Sequence, residues 1–176
     1  MKNITHSTFV ILLLISTLIG CTSKYKIDAV EAPTESINTQ SKFYILLARD
    51  GQYGSKIYQG SGQMTTNAVY SSLVTRGVEV EKATKVENKK LVLLRFRKED
   101  FDYIFVPTIL HWEDRSTEWS GKPDRITLHY AVYDVSTRKE IASTTARASS
   151  KWLTFGGDHP QDLLPAPTRK FVDTLF

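Results

Sequence analysis

The sequence predicts a single α/β (α+β) domain: one mixed β-sheet with helices packed on it, in the order β-α-β-(α)-β-β-β-α. Three observations lead there. Short apolar runs bounded by turn residues read as strands. They alternate with helical patterns in the first half of the chain and follow one another in the second, the mark of a layered mixed sheet. The chain of 176 residues carries one Cys, so no disulfide framework is available. Residues 41–176 are enough for one domain with its own core.

The elements follow in order. "KFYILLA" (Lys42 to Ala48) is a short apolar run closed by "RDG", which suits an interior strand and its turn. "GQYGSKIYQGSG" (Gly51 to Gly62) is glycine-rich and leads into a helix. It lacks the Gly-Lys-Thr/Ser ending of a phosphate loop and reads as a mobile loop. "SGQMTTNAVYSSLVTRG" (Ser61 to Gly77) is a helix, with Ser61 suited to its N-cap, Gly77 to its C-cap, and Met64, Ala68, Leu73 and Val74 as the expected inner face. "VEVEKATKV" (Val78 to Val86) alternates as a half-buried strand does. "NKKLVLLRFRKED" (Asn88 to Asp100) satisfies either period, and its leucines favour a helix. "DYIFVPTIL" (Asp102 to Leu110) is a strand in which Pro107 requires a bulge or an edge position. "RITLHYAVYDVSTRKEIASTTARASSK" (Arg125 to Lys151) forms two long strands, the first directing Ile126, Leu128, Tyr130 and Val132 inward. "PAPTRKFVDTLF" (Pro165 to Phe176) is a closing helix with Phe171, Val172 and Leu175 as its stripe and a proline in its first turn.

The N-terminus reads as an export segment. Met1–Lys2 and the apolar "FVILLLISTLIG" (Phe9 to Gly20) are too short to span a bilayer and end in "LIGC". This resembles the lipobox of bacterial lipoproteins. The resemblance implies cleavage after residue 20, a diacylglycerol thioether on Cys21 and acylation of the new amino group. Thr22, where an inner-membrane lipoprotein of Gram-negative cells carries Asp, implies an outer-membrane address, and a periplasm-facing domain is expected. "TSKYKIDAVEAPTESINTQ" (Thr22 to Gln40) is polar and reads as a flexible tether. An arm of about 20 residues has an end-to-end distance of roughly 25 Å as a coil. The alternative is an ordered arm lying on the domain. A formal charge of +4 is too mild to argue for nucleic acid, and no basic-aromatic ladder occurs.

Two polar, Trp-rich segments are the candidates for function. In "HWEDRSTEWSGKPDR", His111 and Glu113 project to one side of a strand and Trp112 and Asp114 to the other, with Arg115, Glu118, Trp119, Asp124 and Arg125 on the following loop. In "KWLTFGGDHPQDLL", Trp152 precedes a Gly-Gly pair and Asp158-His159. One reading is a cleft for a sugar or peptide, with indoles for stacking and charges for orientation. The other is structural: Trp-capped core edges under a loop in which Arg115 and Arg125 pair with carboxylates. His111, Glu113, Asp158 and His159 are donor types a metal would accept, yet their spacing matches no metal motif, so neither metal nor cofactor is expected. A carboxylate pair such as Glu113 and Glu118 would serve glycoside hydrolysis only at a defined separation, which composition does not supply.

"VPTILHWEDRSTEWSGKPDRI" together with "GGDHPQDLLP" resembles an uncharacterised bacterial lipoprotein family, domain of unknown function 4823, over about Ser41 to the C-terminus. The resemblance brings no activity and no catalytic residue. The order of elements is more loosely similar to small envelope domains such as activators of penicillin-binding proteins, the curli secretion channel subunit and the N-terminal domain of TolB. The expectation is therefore a lipid-anchored, non-enzymatic envelope protein that meets the membrane through Cys21. It would bind an envelope protein or cell-wall glycan at the two Trp-rich segments. The alternative is an envelope enzyme acting on glycan or peptidoglycan through their Glu, Asp and His residues. The strand order predicts that the two segments meet.

Overall fold

A computed structural model describes residues 24–115, 122–150 and 159–176. Its strands are β1 (Lys24–Ile27), β2 (Lys42–Ile45), β3 (Gly51–Tyr53), β4 (Lys56–Tyr58), β5 (Glu79–Lys82), β6 (Tyr103–Glu113), β7 (Arg125–Asp134) and β8 (Glu140–Ser149). Its helices are α1 (Ser61–Thr75), α2 (Lys89–Arg95) and α3 (Pro165–Asp173), the last preceded by a 3-10 turn at Pro160–Leu163. Six strands form one sheet in the order β1-β8-β7-β6-β2-β5, and β3-β4 is a separate hairpin. The pairs β2–β5 and β2–β6 are parallel and the others antiparallel, so the sheet is mixed and the domain is α+β as predicted.

The inner face of the sheet packs on α1 and α3. On β7, Ile126, Leu128, Tyr130 and Val132 are buried as their alternation requires, and Phe171, Val172 and Leu175 meet them from the C-terminal segment. Tyr130 stacks on Phe171 at 5.7 Å between ring centroids, and its hydroxyl bonds to Thr168 Oγ1 at 2.6 Å. Burial pushes the Tyr130 phenol far above its ordinary range. The other face is covered at one end only, by α2. There Val92 and Leu93 pack on Leu46, Phe101 and Ile104, while Leu91 and Leu94 stay exposed. The helix starts at Asn88, whose side chain accepts from Lys90 N, so the cap decides the ambiguous leucine run in favour of a helix.

Several expectations need correction. Helix α1 has the expected bounds and Gly77, at φ 76°, ends it. Its buried face, however, is Gly62, Thr65, Thr66, Val69 and Leu73, with Met64 and Val74 exposed. The threonines serve because Thr65 and Thr66 return their hydroxyls to the carbonyls of Ser61 and Gly62, which leaves their methyl groups for packing. The cap position falls on Gly60, at φ 84°. Ser61 Oγ instead donates to Tyr58 O and accepts from Gly51 N.

The expected mobile loop at residues 51–62 is the β3-β4 hairpin, turned by Gly54 at φ 59° in a two-residue loop. The expected tether is ordered from Lys24 onward. Alternation in "KYKI" lets β1 pair with the free edge of β8, Glu31 bridges to Ser143, and Ile37 is buried against the C-terminal segment.

Pro107 is tolerated because β2 pairs with β6 only as far as Phe105, leaving that side of β6 without a partner strand. The bulge comes later, between Ile109 and His111, with Leu110 as the extra residue. It sends Trp112 to the core opposite Ile126, and His111 to the open face opposite Thr127.

Candidate functional site: a cleft where the two polar segments meet

Where β6 ends, its alternation divides the first Trp-rich segment between two surfaces. Trp112 is buried in the main core, and hairpin β3-β4 lies flush on it: a Cβ added to Gly51 would come within 2.5 Å of Trp112 Cβ. Its indole therefore lacks the open face that stacking on a sugar requires. Glu113 points to the other side and is only 2% exposed. It pairs with Arg115 and with His111 Nε2 at 3.4 Å. Burial raises its pKa, but the hydrogen bond with His111 and the charge of Arg115 outweigh this, so the carboxyl titrates below its ordinary value.

Asp124 ties the end of β6 to the end of β8. Its Oδ1 accepts from Arg115 N at 2.6 Å, its own N–H donates to Ser150 Oγ at 2.9 Å, and its carbonyl accepts from Ser150 N at 3.0 Å. Burial raises the Asp124 pKa, and the neighbouring charges of Asp114 and Glu113 add to the rise, against the Arg115 N–H and His159. Tyr58 Oη holds Asp114 from the hairpin, accepting from its N–H and donating to its carbonyl, each at 3.3 Å.

The second segment arrives at the same place. The 3-10 turn at Pro160–Leu163 opens on His159, whose N–H donates to Asp162 Oδ2 at 3.0 Å. Donor atoms of Asp114, Asp124 and His159 all lie within 4.8 Å of one another. These three could together hold a divalent cation. His159, when protonated, would balance part of the same negative charge. Beside them lies a cleft of about 370 Å³, lined by Lys56, Tyr58, Met64, Trp112, Asp114 and Gln161. Asp114 and Gln161 come from the two polar segments, so the segments meet at a concave surface.

Of the predicted site residues, Asp114, Asp124 and His159 are brought together, with Trp112 forming part of the cleft wall. Glu113, buried, forms an ion pair with the partly exposed Arg115. His111 and Arg125 face the opposite side of the sheet. Glu118, Trp119, Trp152 and Asp158 lie outside the described residues. The sequence reading missed Lys56, Tyr58, Met64 and Gln161. The available signal was the pair of short strands around Gly54-Ser55, which read as a hairpin once a two-residue turn is sought.

A family model described as a domain of unknown function (DUF4823) matches residues 35–175. The chain belongs to this family. Both polar segments of this DUF4823 protein fall inside the match, as does the cleft. No curated protein matches it at a significant level. Among solved structures it is similar to PelC from Paraburkholderia phytofirmans, crystallised as a dodecamer. The TM-score is 0.64 for a point variant and 0.63 for a second crystal form, each at 12% identity, covering 88% of this chain and 98% or 97% of PelC. It is also similar to the hypothetical protein CT253 from Chlamydia trachomatis, with TM-score 0.50 at 9% identity, covering 76% of this chain and 94% of that one. At these identities the likeness establishes a shared fold. No helix among the described residues is long and apolar enough to cross a membrane.

Proposed function

We propose that this protein is a non-enzymatic lipoprotein of the bacterial outer membrane, moored at Cys21, whose domain binds an envelope protein or a cell-wall glycan in the cleft between hairpin β3-β4 and the 3-10 turn. The observation that carries this reading is that two polar motifs far apart in the chain supply Asp114 and Gln161 to one concavity. Its volume, about 370 Å³, lies at the small end of ligand pockets. Met64, 43% exposed at its edge, offers adaptable apolar contact, and Lys56 and Asp114 offer charges of both signs. A binding role is favoured over catalysis because the buried acids are already engaged: Glu113 with Arg115 and His111, and Asp124 with the Arg115 backbone.

Photo-crosslinking residues placed at Met64 and Gln161 in growing cells test the cleft, with the exposed Glu99 as control position. A discrete adduct formed from the cleft positions, absent from Glu99 and lost in Asp114→Arg, is the expected result. No adduct from either cleft position, in protein that is folded and exported, would overturn the reading. Metabolic labelling with palmitate, compared with Cys21→Ser, tests the anchor separately.

Self-assembly is a second reading, supported by the likeness to dodecameric PelC over nearly all of that chain. Strand β5 is an open sheet edge, and Leu91 and Leu94 leave apolar surface on α2. Native mass spectrometry of the purified protein decides it: a monomer at micromolar concentration would end this reading.

A further inference from the structure

The outer face of the sheet at β1, β7 and β8 is not covered by any described element and is strongly basic. Register places Lys24, Ser149 and Arg125 in one cross-strand row, and Lys26, Arg147, Thr127 and His111 in the next. These side chains share one face, because residues paired across a ladder point the same way. They line an open concavity of about 940 Å³. Lys24, Lys26, Arg125 and Arg147 are all exposed. Asp28 pairs with Arg147, and Glu113, in the same row as Arg125, is turned into its own ion pair with Arg115. Lys24, Lys26 and Arg125 have no acidic partner among the described residues. At the rim the Tyr53 ring meets His111 edge-on at 5.2 Å and stays 46% exposed.

The chain length to the anchor says what covers this face. Lys24, the first residue of β1, is three residues beyond Cys21. Three residues span at most about 11 Å. Each headgroup layer of a bilayer is roughly 5–8 Å thick. A lipid on Cys21 would therefore keep the start of β1 within about 11 Å of the acyl chains, close enough for the long basic side chains beside it to reach the headgroups.

We propose that this outer sheet face, centred on Lys24, Lys26 and Arg125, rests on the anionic phospholipid headgroups of the bilayer that holds the anchor. Cationic side chains meet phosphates there, and Tyr53 suits the interfacial level where aromatic residues with a polar tip reside. The inference rests on the anchored reading above and adds an orientation to it: the domain lies on the membrane instead of standing off it. Each Lys or Arg near an anionic surface adds about fivefold to partitioning, so three contribute on the order of a hundredfold.

Mass spectrometry of the purified protein first reports whether Cys21 is acylated, which decides the anchor by itself. Acylated protein is then placed in nanodiscs of phosphatidylcholine, with or without 30% phosphatidylglycerol. It carries a fluorophore at Ser149→Cys on the basic face or, as control, at Ser71→Cys on α1. Nitroxide attached to lipid headgroups should quench the Ser149 position several-fold more than the Ser71 position in anionic discs. The difference should shrink in 0.5 M salt, where the Debye length falls to about 4 Å, and vanish in Lys24→Glu/Lys26→Glu/Arg125→Glu. Lys24→Gln/Lys26→Gln, which introduces no repulsion, should give an intermediate loss and guards against misfolding of the triple variant. If Cys21 proves unmodified, sedimentation with vesicles of the same two lipid compositions replaces the discs, and about a hundredfold preference for the anionic ones is expected. Equal quenching of the two labelled positions, or in the unmodified case equal binding to neutral and anionic vesicles, overturns the proposal.

Discussion

Two buried carboxylates at the end of β6 and the start of β7 should respond in opposite ways to losing their charge. Glu113→Gln removes the negative partner of Arg115, whose side chain is 26% exposed, and weakens the contact with His111. Breaking a fully buried ion pair from one side costs about 3–5 kcal/mol. Discounted for the partial exposure of Arg115, the expected loss is about 2 kcal/mol at pH 7, or roughly 6 °C in Tm for a domain of this size. The folded-state pKa of Glu113 is lowered. Its contribution is therefore complete above the unfolded value of about 4.3 and disappears as pH falls through the lower folded value. The gap between wild type and Glu113→Gln should begin to narrow as pH falls below the unfolded value of about 4.3 and keep narrowing on further acidification.

The Asp124 pKa is raised by burial, so its charged form opposes folding at neutral pH. A raised carboxyl contributes most below its unfolded value, and that contribution is lost as pH rises through the folded value. Asn at this position keeps the acceptor for Arg115 N and removes the charge. Asp124→Asn should be neutral or up to about 1 kcal/mol more stable at pH 7. Urea melts of both variants at pH 7, 5 and 3.5 provide the check. The reasoning fails if Glu113→Gln loses nothing at pH 7, if its deficit persists undiminished at pH 3.5, or if Asp124→Asn is the more damaging of the two.

Four further outcomes are expected. Gly62→Ala should cost about 3 kcal/mol in a chemical melt, because its Cβ would lie 2.2 Å from the Ala48 carbonyl oxygen and backbone cannot give way as a flexible side chain would. Deleting the bulge residue Leu110, which is 58% exposed, should change stability by less than about 1 kcal/mol, since Ile109 and His111 then pair with Leu128 and Thr127 without a bulge. A cooperative transition lost in this variant would contradict the register. Tyr130→Phe should cost about 1 kcal/mol by differential calorimetry, because Thr168 Oγ1 keeps its bond to Leu164 O. Removing residues 24–33 should strip protection from the β8 amides that bond to the arm, Ser143 N–H among them, in hydrogen exchange, whereas a free tether would leave them unchanged.

The sequence made the interior of this fold legible where one physical rule acts alone. Ile126, Leu128, Tyr130 and Val132 alternate because one face of β7 is buried along its whole length. Phe171, Val172 and Leu175 line one side of the closing segment because α3 packs on a single face of the sheet. Legibility failed where a second rule intervened. Thr65 and Thr66 look polar, yet bonding to their own helix lets them pack inward while Met64 turns out. The arm looks like linker by composition, but four alternating residues suffice when β8 offers a free edge. The two polar motifs were expected to meet, and they do through Asp114, Asp124 and His159. The roles within them were less legible, because Trp112 and Glu113 read as ligand-binding types but are consumed by the core and by Arg115.

The bulge at Leu110 ties these observations to one directional consequence. It places His111 on the outer face of the sheet and Trp112 on the inner one, so the basic face and the cleft lie on opposite sides of the same strand. A strand is one residue thick, and the two surfaces cannot both be turned toward one membrane. If the basic face rests on headgroups, the cleft opens toward the envelope space, where a protein or glycan partner would be found. The same argument limits the partner's approach: it must come from the side of the 3-10 turn and α1, past Met64 and Gln161. Crosslinks formed at Met64 with lipid rather than with protein or glycan would show that the sheet is turned the other way.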